Sequence, residues 1–291
     1  MGYNREELLR HDYAETTAHS RAGALQKSQL SKTALLLMIM GLLIAVALGA
    51  GYVGWKLGSD YQINASCCQL SRVQSLVVSA KERLGLATFY SQIGQDKWVS
   101  EAIFPGVENG FFLDVGSGDG TFNSNTKALE QKGWTGVCID PFPINMQDRR
   151  CQIFKEVVFS EAGKQVKFWT PSQGDKASFW GGITDTLGTA AKDLMSTEPA
   201  AVEFATVTLG DILERAKAPR FIHFMSMDIE GGELNALKGF PFDKYRLGAM
   251  CVEHFWREPN RSEIRALMES HGYKRVNSWQ QEDYYMPAKN P

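Results

Sequence analysis

Acidic residues stand where short apolar runs break off, and those are the places at which this chain can do chemistry. The run Phe111-Phe112-Leu113-Asp114-Val115 stops at Gly116-Ser117-Gly118-Asp119-Gly120. A short apolar run fits a buried parallel strand, and the glycines after it make a loop without side chains that block a ligand. The spacing is G-x-G-x-G. A dinucleotide loop needs G-x-G-x-x-G, and Thr121 stands where its last glycine would fall. Asp114 and Asp119 make the loop acidic, which disfavours a pyrophosphate and suits a cation. A second apolar run, residues 136–139, ends in Asp140, where a doubly wound fold hydrogen-bonds ribose hydroxyls. Pro141 keeps Asp140 out of any following helix. Asp114, Gly116, Gly118, Gly120 and Asp140 therefore predict a ligand with a ribose, a positive charge and no phosphate. S-adenosylmethionine has all three properties.

Two further run ends carry the rest of the candidate chemistry. Residues 221–227 deliver Asp228, Glu230 and Glu233, and residues 247–252 deliver Glu253 and His254. Adjacent parallel strands bring their ends together, so His254 is the expected general base, with Asp228, Glu230 and Glu253 around it. The same carboxylates are also an oxygen-rich ligand set for a hard divalent cation such as magnesium. A purely structural role competes for Glu230 and Glu233, because carboxylates are favoured in the first turn of a helix. Gln95 and Asp96 could cap a helix or reach the cofactor, and Asn125 follows the glycine loop at the sheet's carboxyl edge.

The elements that must hold these residues alternate strand and helix, as an α/β doubly wound sheet requires. Helices are expected over 97–104, from 126 through Trp134, over 211–217, up to Lys238 and over 263–271. Further strands are expected at 155–159, 166–169, 204–209, 273–276 and 283–286. The polar, aromatic stretch 172–188 is a candidate substrate loop.

With 44% hydrophobic and 22% charged residues and a net charge of −2, nothing points to nucleic acid. Five cysteines are too few and too scattered for a disulfide framework, and Cys138 and Cys251 read as small buried hydrophobes.

Ahead of the α/β region, residues 1–32 read as a mobile tail. Residues 34–55 carry no charge. As a helix at ~1.5 Å per residue this stretch spans about 33 Å, enough for a bilayer core of ~30 Å. One transmembrane helix is expected over 33–55, then a stalk or linker helix over 56–88 and a domain over 89–291. Arg21, Lys27 and Lys32 outnumber Lys56 beside the span, which favours a cytoplasmic amino terminus and a domain on the far side, in an ER or Golgi-type compartment. Gly41, Ala45 and Gly49 recur every four residues and permit a weak homodimer.

The succession YSQIGQD (90–96), FLDVGSGDG (112–120), SNT (124–126), CIDP (138–141), MDIEGGE (227–233) and VEH (252–254) resembles the FkbM-type methyltransferase family. The likeness covers roughly residues 89–287. It implies a class I, Rossmann-like sheet with an antiparallel terminal strand, S-adenosylmethionine as cofactor, and a hydroxyl of a sugar, glycan or small metabolite as acceptor. Asp140 departs from the glutamate usual in the family and keeps the ribose-binding chemistry. A catalytically silent protein with the same fold and a binding or trafficking role is the alternative.

Overall fold

The structure, a computed structural model, describes residues 88–170, 181–187 and 201–289. Phe89–Pro291 forms a compact unit. Its strands are β1 (Phe111–Val115), β2 (Thr135–Ile139), β3 (Gln152–Phe154), β4 (Gln165–Trp169), β5 (Gly182–Ile183), β6 (Val202–Ala205), β7 (Phe221–Met227), β8 (Arg246–Glu253), β9 (Tyr273–Trp279) and β10 (Glu282–Pro287). Seven of them make one sheet in the order β3-β2-β1-β7-β8-β10-β9. Neighbours from β3 to β8 run parallel, and β10 pairs antiparallel with both β8 and β9. The expected α/β architecture with an antiparallel ending is present.

Alternation along the strands decides what each face buries. Leu113 and Val115 pack with Val137, Ile139, Met225 and Met227 in one core, whereas Phe112 packs with Trp134, Cys138 and Phe224 in another. Leu113, Val115, Phe112 and Phe224 are fully buried. Each such side chain contributes about 1.5–3 kcal/mol through burial. The strand tips that carry the site are thus held by both layers.

Several helix bounds differ from the patterns. The first, α1 (Gln95–Lys97), runs into a π-helical turn at Trp98–Ile103, whose Val99 is fully buried. The next, α2 (Lys127–Gln131), stops well before Trp134, and Gly133 makes the turn at a φ of 92°. Thr208 caps α3 (Leu209–Arg215) in a capping box with Asp211. Asp211 is therefore its third residue and not its first. Then come α4 (Glu233–Lys238) and α5 (Asn260–Ser270).

Two expectations need correction. The strand foreseen at 155–159 is displaced: β3 ends at Phe154, and Val157 and Phe159 leave the main sheet to pack with Val166 and Phe168 of the small sheet β5-β4-β6. Cys138 is not a free thiol but forms a disulfide with Cys151, 13 residues away, with Cα atoms 5.9 Å apart. Cys138 pairs with Ile153 across β2 and β3, so Cys151 arrives beside it through strand pairing that sequence spacing does not reveal. Cys251 is buried and free.

The expected tail, the expected transmembrane span with its small-residue face and all of the expected stalk but Thr88 lie outside the described residues, as does most of 172–188. Among the described residues no helix is long and apolar enough to cross a membrane.

Candidate active site

A cavity of about 300 Å³ opens at the carboxyl ends of β1, β2, β7 and β8. Sequence places it there because each apolar run ends in glycine or acid, which leaves polar groups at the tips. Gly116 and Ser117 turn back from β1, and their amides donate to the Ile139 carbonyl at 2.8 and 3.1 Å. The Asp228 amide donates to the Val115 carbonyl at 2.9 Å. Gly116 lies at a φ of 86°, and a Cβ there would run into the Asp228 carbonyl oxygen. No other residue type allows β1 and β7 to approach so closely at this point.

Asp140 lines the cavity at the tip of β2. Its Oδ2 accepts from the Gly118 amide at 2.9 Å and its Oδ1 from the Phe142 amide at 2.7 Å. Burial pushes the carboxyl up, against these two amides. Each oxygen keeps a second acceptor position, so the group is fixed in place and still able to bind hydroxyls. Phe142 and Phe168 add apolar surface to the wall beside it.

Asp228, Glu230 and Glu253 also line the cavity. One oxygen from each lies within 4.8 Å of the others. Burial raises all three: Glu230 is pushed up to about 8, with the Asp228 and Glu233 charges adding to burial and Arg257 opposing, whereas at Asp228 the hydrogen bond with Glu253 opposes burial. Within the Asp228–Glu253 pair, burial and then the Asp228 charge hold the proton on Glu253. Glu233 turns elsewhere, its Oε1 accepting from the Ile229 and Gly231 amides.

Other candidates take different positions. Asp114 is not on the cavity wall: as the register partner of Cys138 it points into the layer beneath the loop. Its Oδ2 accepts from the Thr126 hydroxyl and lies 3.9 Å from Arg149 Nη2. Burial, only partly offset by Arg149, raises it to about 6. Gly120 also lies behind the loop, where its amide donates to the Ile144 carbonyl at 2.8 Å. Asp96 is fully buried and accepts from the Tyr90, Ser91 and Lys97 amides. That is a capping role. Gln95 reaches the cavity, but its side-chain amide already bridges Ile93 and Glu282.

The expected base also needs correction. His254 is 3% exposed and does not line the cavity. Its Nδ1 accepts from the Trp256 amide at 2.8 Å, and its Nε2 stands 3.5 Å from Asp283. It braces a turn in which Phe255 and Trp256 both lie at positive φ. The reason is again alternation: Glu253 and His254 follow each other, so their side chains leave β8 on opposite sides.

Sequence reasoning missed Arg149, whose buried guanidinium donates to Glu130, Ser124, Thr126 and the Gly120 carbonyl. It neutralises Asp114 and ties the glycine loop to α2. One of two adjacent arginines in a polar stretch gives no signal of this. Ser117, Glu156, Phe255 and Gln281 are further lining residues that spacing did not single out.

Four buried oxygens on the wall have no hydrogen-bond partner among the described residues: Ser117 Oγ, Asn123 Oδ1, Asn125 Oδ1 and Glu253 Oε2. Buried polar groups are ordinarily satisfied, so their convergence marks a place built for a polar ligand. The sequence from residue 114 to residue 275 matches the family model described as the methyltransferase FkbM domain. The chain belongs to the FkbM methyltransferase family. In this FkbM protein the matched stretch starts at Asp114, near the end of β1, and runs into β9, so it takes in the tips of β1, β2, β7 and β8. Comparison with the curated proteins and with the solved structures returned no match.

Proposed function

We propose that this methyltransferase uses S-adenosylmethionine and methylates a hydroxyl of a sugar, glycan or small metabolite. The observation that carries the proposal is the charge of the cavity wall. Its described residues include Asp119, Asp140, Glu156, Asp228, Glu230 and Glu253 and no lysine, arginine or histidine. A phosphate-bearing cofactor needs cationic or free amide partners, whereas a ribose with a cationic centre is matched by carboxylates. The four unpartnered polar atoms and the side-chain-free loop at Gly116 fit such a group.

When bound, the sulfonium supplies a methyl group that is already electrophilic. What remains for the protein is alignment and a proton acceptor. Asp140, immobilised by two amides, holds the ribose side. Asp228, Glu230 and Glu253 face the acceptor side and orient its hydroxyl, and Asp228, which leaves the shared proton on Glu253, receives the hydroxyl proton. His254 is a positioning residue that sets the direction in which β8 leaves Glu253.

The membrane anchor and its orientation are part of the same proposal. They are supported by the uncharged stretch 34–55 and by the basic residues ahead of it. The Cys138–Cys151 disulfide agrees with a domain in an oxidising compartment, to which the cofactor must be delivered.

Incubating the purified chain with methyl-labelled S-adenosylmethionine and a panel of free sugars and glycans tests the reaction. Alkali-stable label in an acceptor, reduced at least ~100-fold by Asp228→Asn, is the expected result. Label that Asp228→Asn leaves unchanged would remove the carboxylates from the mechanism.

A further inference from the structure

Asp228, Glu230 and Glu253 come from two separate places in the chain. Asp228 follows β7, Glu230 sits in the turn after it at a φ of 58°, and Glu253 ends β8. The pairing of Met227 with Val252 sets residues 228 and 253 side by side. Among the described residues no lysine, arginine or histidine lines the cavity that holds the three carboxylates. Arg257 donates to the backbone carbonyl of Glu230 at 3.2 Å. Glu253 is only 4% exposed, yet its Oε2 has no donor, and Asn125, 8% exposed, presents an equally unpartnered Oδ1 to the same cavity. Asn125 is fixed in that orientation because its amide nitrogen donates to Ser226 Oγ at 2.8 Å.

Two oxygens on one ion stand at most twice the metal–oxygen bond apart, which is about 4.2 Å for magnesium and about 5 Å for calcium. The three carboxylate oxygens all lie within 4.8 Å of one another, inside the reach of the larger ion. We propose that Asp228, Glu230 and Glu253 bind one hard divalent cation of the magnesium, manganese and calcium class at the acceptor end of the cavity. Three oxygens leave coordination positions open, since such ions take at least six ligands. The existence of the site does not depend on the methyl donor. Its catalytic consequence does rest on the methyl-transfer reading: an open position takes the acceptor hydroxyl oxygen and lowers the hydroxyl pKa. The second oxygen of a ligating carboxylate then receives the proton.

Manganese, titrated into the purified full-length chain without S-adenosylmethionine and followed by electron paramagnetic resonance, reads the site directly. The expected result is one ion per chain, with affinity reduced at least ~10-fold in both Glu230→Gln and Glu253→Gln. Glu161→Gln, on an exposed turn, keeps the wild-type affinity. Thermal melting of each variant verifies folding, and Glu230→Gln, at a partly open position, serves if Glu253→Gln does not fold. No stoichiometric ion in the wild type overturns the proposal, as does equal affinity in a folded Glu230→Gln. Manganese binding without any S-adenosylmethionine binding would keep the cation site and dismiss the methyl-transfer reading; the reverse pattern would do the opposite.

Discussion

At the scale of single residues, the neighbours of a titratable group decide its role. His254 has the right chemistry for a base, but its Nδ1 is committed to the Trp256 amide and its Nε2 faces Asp283. Burial raises Asp283, yet the approach of His254 and bonds from Arg261 and Arg275 hold it well below the ordinary carboxylate range. His254→Ala should therefore cost about 1–3 kcal/mol of stability in urea denaturation, as loss of a buried hydrogen-bonded group does. Methyl transfer should fall by less than ~10-fold. A loss of several orders of magnitude in folded His254→Ala would restore histidine as the base. Glu282 gives a pH signature. Burial, with Asp228 adding to it, raises Glu282 to about 8 from an ordinary 4.5, against bonds from Gln95 and Cys251. A raised carboxyl favours the folded state while it is protonated there, so this stabilisation is complete below about 4.5 and disappears as pH rises through about 8. Glu233, raised to about 7 mainly by burial, acts in the same direction. Denaturation free energy should fall between about pH 5 and about pH 8. Glu282→Gln should flatten part of that fall, and an unchanged slope would refute the assignment.

At the scale of elements, the sheet delivers chemistry because each strand ends where its apolar run ends. Gly116 is the tightest junction. Gly116→Ala would force a Cβ against the Asp228 carbonyl at an unfavourable φ, and a loss of at least ~2 kcal/mol in chemical denaturation is expected. Wild-type stability in this variant would show that β1 and β7 do not meet this closely. These strand ends were legible in the sequence, as Asp140, Asp228 and Glu253 at the cavity demonstrate. Which face a tip residue takes was not. Asp114 and His254 carry suggestive chemistry but point into packed layers, and the deciding partners, Arg149 and Asp283, lie 35 and 29 residues away. The small sheet escaped notice for the same reason: residues 155–159 have strand-like composition, but Val157 and Phe159 find their partners in β4. Arg149 beside Asp114 likewise becomes visible only when β2, β3 and α2 are assembled.

At the scale of the whole molecule, the disulfide and the amino-terminal sequence bear on the same proposal. The Cys138–Cys151 link joins positions 13 apart and closes a loop that includes Asp140 and the Asn145 strap, where Asn145 Nδ2 donates to Asp119 Oδ2 at 2.6 Å. Replacing both cysteines with serine should cost ~3 kcal/mol, measured by urea denaturation under oxidising conditions. Identical stability before and after reduction of the wild type would contradict a structural disulfide. Protease protection in sealed membrane vesicles addresses orientation: the domain should resist digestion until detergent is added, and immediate digestion would place it on the cytosolic side. The central claim, that the tips of β1 and β2 hold the ribose end of a methyl donor, is tested most directly by calorimetric titration of S-adenosylmethionine into the wild type and Asp140→Ala. One site per chain, weakened at least ~10-fold by Asp140→Ala, is expected for loss of a ligand carboxylate with two available acceptors. Heat that is absent in the wild type, or equal in the two proteins, would contradict it.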